Sequence, residues 1–313
     1  MRILIIGSGA MGSLFAGKLK QNGVDVTIFN RLNNHVKAIQ KDGLTIVDAK
    51  GNTSAIKLPI VTNPDDLSGK YDLILVLIKT FATEIVLESL LLSIHSNAPI
   101  LTLQNGIGNK ETIHKLTTEN EVFTGGTWAG ASIDKPGVIL HRAVGTTFIG
   151  SDQPDKHKDL LHEIAAIFTR SGLKTEVSIN VQSIIWSKLL VNIAYNGLTA
   201  ITRLRNGDTI LPHEGRSIVE KLVDEAIQIT KVKGIPLLYS DPAAECVRIG
   251  HEEIGMNISS MLSDILNQRK TEIEAINGAV VKEGERYGIS TPYNDMILNL
   301  VKVIENSYSR IVR

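Results

Sequence analysis

The feature that most limits how this chain can fold is an apolar run that leads into a glycine-rich turn and then a helical pattern. Residues Ile3 to Ile6 are all apolar, as expected of a strand covered on both faces. The next six residues are Gly7-Ser8-Gly9-Ala10-Met11-Gly12, and helical periodicity continues from there to Gly23. A GxGxxG motif is weak evidence alone, but between a strand and a helix it is typical of dinucleotide-binding folds.

Each glycine of this turn has a separate predicted role. Gly7 permits the tight turn, Gly9 leaves room for a pyrophosphate, and Gly12 allows the helix to pack on the strand. Backbone N–H groups at the helix N-terminus then face the phosphate charge. We therefore predict that the cofactor is bound by Gly7, Ser8, Gly9, Ala10, Met11 and Gly12.

Strand and helix patterns alternate through the first half of the chain. Residues 25–30, 71–79 and 99–106 have strand patterns that end in polar residues. This alternation predicts an α/β fold with an N-terminal doubly wound Rossmann-type sheet. Residues 137–150 are interpreted as a hairpin that closes this sheet. Strand patterns stop near residue 180, so we predict a Rossmann-type domain at 1–178 and an all-helical C-terminal domain at 179–313.

The residues after the second strand indicate which dinucleotide binds. NAD sites usually have Asp or Glu there to accept a hydrogen bond from the ribose 2′-hydroxyl, but this chain has Asn30 and Arg31. A carboxylate repels a 2′-phosphate, whereas Arg31 can pair with it, so we predict NADP(H) as the cofactor. Lys79 and Asn105 end the next two strands, and we expect both to contact the cofactor or the substrate.

A polar stripe interrupts the apolar helical segment at residues 186–200. Lys188, Asn192 and Asn196 follow each other at steps of four, which places them in one sector of a helix. Polar groups that are buried without partners cost about 1–3 kcal/mol each. The stripe therefore needs water, other polar side chains or a small polar ligand. Taken alone, a lysine and two asparagines most often mark a solvated helix face, and the other two alternatives stay open.

Composition argues against several classes of function. Lys plus Arg equals Asp plus Glu at 33 each, so no basic surplus attracts nucleic acid or an acidic membrane. The single cysteine, Cys246, cannot form an internal disulfide, and no histidine lies at metal-ligand spacing. No apolar run approaches the ~20 residues of a membrane span. We expect a cytoplasmic protein that binds no metal, nucleic acid or membrane.

Ordered motifs along almost the whole chain resemble the ketopantoate reductase (2-dehydropantoate 2-reductase) family. In chain order they are GSGAMGSLFAGKL at 7–19, Arg31, IKT around Lys79, LQNGIGN at 103–109, WSKLLVNIAYNGLTA at 186–200, NISSMLSDI at 257–265, RKTEIEAINGAVV at 269–281 and GISTPYN at 288–294. The resemblance implies an NADP-binding domain at 1–178, a helical substrate and catalytic domain at 179–313, and an active site in the cleft between them.

The resemblance implies a catalytic lysine at Lys188 and a glutamate at Glu272 that binds a substrate hydroxyl. We expect Lys188 to act as the general acid, with a pKa lowered by partial burial and by neighbouring positive charge. The positions that match substrate-binding residues are Asn105, Asn192, Asn196, Asn257 and Ser260. Asn257 and Ser260 are expected three residues apart on one helix. Asn105 and Lys79 also match positions that contact the cofactor.

The implied activity is NADPH-dependent reduction of 2-dehydropantoate to pantoate, a step of pantothenate and coenzyme A biosynthesis. Two other functions stay open. One is NADPH-dependent reduction of another 2-oxo acid, and the other is a catalytically silent NADPH-binding sensor. A helical second domain often supplies a dimer interface, but the sequence does not choose between a monomer and a homodimer.

Overall fold

The computed structural model describes residues 1–91, 97–117 and 119–310. Its strands are β1 Arg2–Ile6, β2 Asp25–Phe29, β3 Leu44–Val47, β4 Thr53–Ile56, β5 Ile60–Val61, β6 Leu73–Val76, β7 Ile100–Thr102, β8 Val122–Thr127, β9 Gly130–Lys135, β10 Val138–Ala143, β11 Thr147–Gly150 and β12 Thr175–Val177.

The helices are α1 Ala10–Gln21, α2 Asn34–Asp42, α3 Thr83–Leu91, α4 Asn109–Leu116, α5 Lys158–Arg170, α6 Val181–Thr202, α7 Asn206–Thr209, α8 His213–Val232, α9 Pro242–Glu252, α10 Ser260–Leu266, α11 Asn277–Tyr287 and α12 Pro292–Glu305. Short 3₁₀ turns lie at Pro64–Asp66, Thr80–Ala82, Ile273–Ala275 and Tyr308–Arg310.

The chain forms two compact units. The first contains Met1–Gln104 and Asn109–Val181, and the second contains Asn105–Gly108 and the residues from Gln182 onward. A single cut in the sequence does not describe this division, because the short segment Asn105–Gly108 packs with the second unit. There the Ile107 N–H donates a 3.2 Å hydrogen bond to the Ala275 carbonyl oxygen.

The first unit contains an eight-stranded sheet in the order β12-β11-β8-β7-β6-β1-β2-β5. Neighbouring strands are parallel except for β8 and β11, which are antiparallel. The strand order changes direction at β1 and β6, where ligands bind in folds of this type. This arrangement, followed by a helical second unit, confirms the predicted fold class.

Both faces of this sheet are covered, and β1 shows why an unbroken apolar run was needed. Ile3 and Ile5 are buried with residues of α1 and α5, such as Phe15 and Phe168. Leu4 is buried in a separate cluster that includes residues of α3 and α4. Alternate side chains of a strand point to opposite faces, so a strand between two helical layers must be apolar at every position.

The hairpin predicted at residues 137–150 was wrong. β10 pairs with β9 and β3 in a second, four-stranded sheet, whereas β11 joins the main sheet between β8 and β12. The two strands separate at residues 144–146, where the Trp128 N–H donates to the Thr146 carbonyl oxygen at 3.1 Å. The alternating pattern identified two strands, but it carries no information about their distant partners.

In the second unit, the described residues from Gln182 to Arg310 form helices and turns without a strand. The long helix α6 places Trp186, Leu190 and Ile193 in the core of this unit. By length and composition α6 could cross a membrane, which corrects the expectation that no apolar segment approaches such a length. However, 72% of its most apolar window is buried inside the protein, as is common for the central helix of a folded core.

Candidate active site

The glycine-rich turn joins β1 to α1. Gly7 has a φ of +109°, and a side chain there would collide with the Leu77 carbonyl and with Ile78. A side chain on Gly12 would collide with the Gly7 carbonyl oxygen. A Cβ on Gly9, by contrast, would meet no protein atom within 4 Å. The packing of the protein thus requires Gly7 and Gly12, whereas Gly9 leaves an open cradle at the N-terminus of α1.

This cradle suits the pyrophosphate of a dinucleotide. The first turn of α1 contains no acidic residue, so its backbone N–H groups and helix dipole favour an anion. The hydroxyl of Ser8 is buried, and it has no hydrogen-bond partner among the described residues. An unpaired donor beside an open helix N-terminus fits a phosphate group as an additional partner.

Asn30 connects the end of β2 to the glycine-rich turn. Its Oδ1 accepts a 3.0 Å hydrogen bond from the Ser8 N–H, and its Nδ2 donates at 2.7 Å to the Arg31 carbonyl oxygen. The side chain that replaces the usual carboxylate is therefore used to hold the turn. Arg31 itself is exposed beside it, and Lys79 is partly buried before the turn at Thr80–Ala82.

Gln104 holds the ends of β6 and β7, and sequence reasoning did not identify this role. Its buried Nε2 donates to the Ile78 carbonyl oxygen at 2.9 Å and to Thr83 Oγ1 at 2.8 Å. Its Oε1 accepts from Thr102 Oγ1 at 2.9 Å. A polar amide at the end of an apolar strand, directly before Asn105, was the signal that could have revealed it.

Lys188, in the second unit, has a specific partner. Its Nζ donates a 2.8 Å hydrogen bond to Oδ1 of Asn105, which belongs to the same unit. The side chain is partly buried, and removal of the ammonium from water lowers its pKa to about 8. A lysine with a pKa near neutrality is suited to donate a proton in catalysis.

The charge that acts on Lys188 comes from Glu272. This carboxylate is 6% exposed and lies just before the 3₁₀ turn Ile273–Ala275. Its negative charge raises the pKa of Lys188, which opposes the larger effect of desolvation. We expected a neighbouring positive charge to help lower this pKa, and that expectation was wrong because the coulombic neighbour is an anion.

The two asparagines of the polar stripe follow Lys188 on α6. Asn192 is partly buried and Asn196 is 6% exposed. Their spacing of four residues places them on the same face of α6 as Lys188. The stripe therefore runs from a partly buried lysine to a buried carboxamide, an arrangement suited to orient a small polar molecule.

Asn257 and Ser260 do not share a helix, so that expectation was wrong. α10 begins at Ser260, and Asn257 lies before its N-cap residue, Ser259. Ser259 has an extended backbone with φ −67° and ψ 157°, which a helix interior cannot accommodate. Asn257 and Ser260 are both exposed, and the Asn257 carbonyl oxygen accepts from the Asn206 N–H at 3.0 Å.

Ser259 connects the start of α10 to α6 through a hydrogen bond. Its Oγ accepts from the Leu262 N–H at 2.9 Å and lies 2.7 Å from Oγ1 of Thr199, which follows Asn196 on α6. Sequence reasoning missed both hydroxyls. A serine directly before an apolar helical run is an N-cap signal, which could have identified Ser259.

Tyr195 and Cys246 belong to the core of the second unit. The Tyr195 hydroxyl donates a 2.9 Å hydrogen bond to the Cys246 carbonyl oxygen, and burial raises the pKa of the phenol. Burial also raises the pKa of the Cys246 thiol to about 12, so the thiol is unreactive near neutral pH. Across residues 1–91, 97–117 and 119–310, no group of three or more potential ligands forms a metal site.

Comparison with known protein families identifies both halves of the chain. Residues 3–154 match the family described as Ketopantoate reductase PanE/ApbA, and residues 180–305 match Ketopantoate reductase PanE/ApbA C terminal. A curated relative, the 2-dehydropantoate 2-reductase of Pyrococcus horikoshii, is 35% identical over 306 residues, which cover 98% of each chain.

Two solved structures share the fold over nearly full length. D-mandelate dehydrogenase in a ternary structure with NADH and anilino(oxo)acetate is 31% identical, with a TM-score of 0.92 over 99% of this chain and 100% of that chain. A PanE/ApbA family ketopantoate reductase from Ralstonia eutropha is 29% identical, with a TM-score of 0.90 over 99% and 100% of the two chains. This chain therefore belongs to the ketopantoate reductase family of oxidoreductases.

Proposed function

We propose that this protein reduces 2-dehydropantoate to pantoate with NADPH. The observation that carries the proposal is the hydrogen bond between Lys188 and Asn105, in which a lysine of lowered pKa is held by a neutral side chain. In a chain of this family, such a lysine is the natural proton donor for a 2-oxo acid.

Lys188 supplies the proton that carbonyl reduction requires. A bound reduced nicotinamide would supply the hydride, and negative charge would then develop on the carbonyl oxygen of the substrate. The ammonium of Lys188 stabilises this charge and donates its proton from Nζ to the oxygen. With a pKa of about 8, Lys188 is mostly protonated at pH 7 and still acidic enough to give up the proton.

Glu272 is proposed to bind the terminal hydroxyl of 2-dehydropantoate. A carboxylate that is 6% exposed is costly to bury beside an apolar group, but it can accept a strong hydrogen bond from a hydroxyl. The residues proposed to orient the rest of the substrate are Asn105, Asn192, Asn196, Asn257 and Ser260. The buried carboxylate thus favours a 2-oxo acid that carries a hydroxyl over one with a wholly apolar side chain.

The proposed preference for NADPH rests on the residues that follow β2. Asn30 uses its side chain to hold the Ser8 N–H, and the adjacent Arg31 is exposed. A guanidinium can pair with a 2′-phosphate, and no acidic side chain stands at this position to bind a 2′-hydroxyl. Gly7 to Gly12, Lys79 and Asn105 are proposed to contact other parts of the cofactor.

A second candidate function is reduction of an aromatic 2-oxo acid with NADH. One observation favours it, since a structure with a TM-score of 0.92 is a D-mandelate dehydrogenase with NADH. Phenylglyoxylate, the oxo acid that corresponds to mandelate, has a phenyl ring and no hydroxyl. Glu272 argues against it, because its carboxylate can accept a hydrogen bond from a substrate hydroxyl but not from a phenyl ring.

A panel of substrates distinguishes these functions. Loss of reduced nicotinamide absorbance is measured with NADPH or NADH and one of three acids: 2-dehydropantoate, its analogue with methyl in place of hydroxymethyl, and phenylglyoxylate. We expect the highest kcat/KM for 2-dehydropantoate with NADPH. A clear preference for phenylglyoxylate with NADH would replace the first proposal by the second, and tight NADPH binding without turnover would indicate a sensor.

Glu272→Ala provides a sharper test on the same panel. We expect KM for 2-dehydropantoate to rise about 10–100-fold, as for loss of a charge-assisted hydrogen bond, while KM for the methyl analogue stays nearly constant. Glu274→Ala is the matched control, because Glu274 lies in the adjacent 3₁₀ turn with its side chain 58% exposed and bound to Lys302. Equal effects on both substrates would remove Glu272 from hydroxyl recognition.

A further inference from the structure

His35 is connected to the glycine-rich turn by a chain of hydrogen bonds. The imidazole is 8% exposed, and its Nδ1 accepts a 3.1 Å hydrogen bond from the Gly137 N–H. Its Nε2 lies 3.1 Å from Oγ of Ser13 on α1. The Ser13 hydroxyl in turn donates at 3.0 Å to the Ser8 carbonyl oxygen. The chain thus runs from the second sheet of the first unit to the turn.

The Gly137 N–H determines the direction of every proton in this chain, because a backbone N–H can only donate. Nδ1 of His35 must therefore be the unprotonated nitrogen, so a neutral imidazole carries its proton on Nε2. Burial lowers the pKa of His35, which favours the neutral ring. The Nε2–H donates to Oγ of Ser13, and this directs the Ser13 hydroxyl proton to the Ser8 carbonyl oxygen.

The Ser8 carbonyl shares a peptide unit with the Gly9 N–H. The peptide bonds of the described residues are trans, and the C=O and N–H of a trans peptide point in opposite directions. Ser13 is 0% exposed, so a carbonyl held toward Ser13 faces the interior. The Gly9 N–H consequently points away from the interior, at a residue that is itself exposed.

We propose that His35 and Ser13 are positioning residues for the cofactor, because their hydrogen-bond chain holds the Ser8–Gly9 peptide with its N–H directed toward a bound pyrophosphate. This inference rests on the proposed function, which assigns a nicotinamide dinucleotide to the turn. Asn30 holds the other side of Ser8 through the Ser8 N–H. Loss of the chain therefore frees one peptide of the turn and leaves its second support in place.

Cofactor affinity of the full-length protein provides the test. Dissociation constants of NADPH and NADH are measured by calorimetry for wild type, Ser13→Ala, His35→Phe, His35→Gln and the double variant Ser13→Ala/His35→Phe. We expect Ser13→Ala and His35→Phe each to raise both constants about tenfold, as for one lost hydrogen bond. Gln keeps an N–H near the position of Nε2, so His35→Gln should recover most of the affinity.

The double variant tests whether the two side chains act together. If both side chains belong to one hydrogen-bond chain, the double variant should bind the cofactor no more weakly than the single variant of lower affinity does. His141→Phe is the matched control, because His141 is 7% exposed on β10 of the same unit and outside the chain. The dissociation constants of NADPH and NADH for this control should stay within about twofold of the wild-type values. In Ser13→Ala, KM for the oxo acid at saturating cofactor should not change.

Two results would overturn the inference. One is wild-type affinity in a folded Ser13→Ala variant, which decides the question even if His35→Phe does not fold. The other is full additivity in the double variant, since independent effects would mean that the residues do not share a chain. Wild-type protein that binds neither dinucleotide would overturn the proposed function as well, whereas tight binding by wild type and Ser13→Ala alike would overturn this inference alone.

Discussion

The Nζ atom of Lys188 donates a 2.8 Å hydrogen bond to Oδ1 of Asn105, a residue 83 positions earlier in the chain. The acceptor is a neutral amide, so it orients the ammonium without adding a negative charge that would hold the proton more tightly. Desolvation meanwhile lowers the pKa of Lys188 to about 8. The pair therefore combines a fixed direction for the ammonium with a proton that can leave.

Replacement of Lys188 tests whether it is the acid. We expect Lys188→Ala to lower kcat by about 10²–10⁴-fold, the usual contribution of a positioned general acid, with little change in the dissociation constant of NADPH. Steady-state kinetics and a cofactor titration measure the two quantities. Lys231→Ala, at an exposed position of α8, is the control and should retain wild-type rates. A Lys188→Ala variant whose kcat is within tenfold of the wild-type value would exclude Lys188 as the proton donor.

The pH dependence of reduction follows from the same lysine. Only the protonated form can donate, so kcat/KM should be constant below about pH 8 and fall about tenfold per unit at higher pH. In Asn105→Asp, a carboxylate beside the ammonium favours the charged form and raises the pKa of Lys188. The fall in kcat/KM should then begin at higher pH. Asn306→Asp, at an exposed position, is the control and should not change the pH dependence of kcat/KM. An unchanged pH dependence in Asn105→Asp would contradict this account.

Cofactor preference should depend on Arg31. We expect Arg31→Asp to lower the ratio of kcat/KM for NADPH to that for NADH about 10–100-fold, because the guanidinium is replaced by a charge that repels a 2′-phosphate. Kinetics with each cofactor at a saturating level of oxo acid measure this ratio. Lys41→Asp makes the same charge change at the exposed C-terminal end of α2 and should leave the ratio unchanged. An unchanged ratio in Arg31→Asp would mean that another group recognises the phosphate.

The stability of the second unit should depend on Glu225, which is 5% exposed on α8. Its carboxylate accepts hydrogen bonds from the Tyr293 N–H at 2.9 Å, the Asn294 N–H at 3.0 Å and Asn294 Nδ2 at 2.7 Å. It therefore satisfies the N-terminus of α12, where a negative charge is favoured. We expect Glu225→Ala to lower the free energy of unfolding by about 3 kcal/mol, because it leaves several buried donors unpaired.

Urea denaturation measures that loss. Glu220→Ala, at an exposed position of the same helix, should change the free energy of unfolding by less than about 0.5 kcal/mol. If the two variants unfolded at the same urea concentration, the buried carboxylate would not contribute to stability.

Much of the fold was predictable because it depends on local patterns. The apolar run of β1, the glycine-rich turn and the helical periodicity after residue 180 each report the conformation of neighbouring residues. The partners of β10 and β11 were not predictable. Strand pairing depends on which distant edges are available, and the alternation at 137–150 is compatible with either sheet.

The candidate site shows the same division. The stripe of Lys188, Asn192 and Asn196 on an apolar helix indicated that polar groups surround it, but it did not identify which residues supply them. The helical spacing expected for Asn257 and Ser260 failed because Ser259 is the N-cap of a helix that begins only at Ser260. The contribution of Glu272 to the pKa of Lys188 could not be inferred from spacing, since it is an electrostatic effect of a residue far away in the chain.

By itself the sequence determined the two-part α/β and helical organisation, the glycines at the start of α1, and the need of Lys188 for a polar partner. These follow from backbone sterics, apolar periodicity and the free energy of burying a charge. Only the tertiary structure decided that Asn105 is that partner, that Glu272 is the neighbouring charge, and that His35 supports the turn through Ser13. Such contacts join residues far apart in the chain, so they depend on how each whole unit packs.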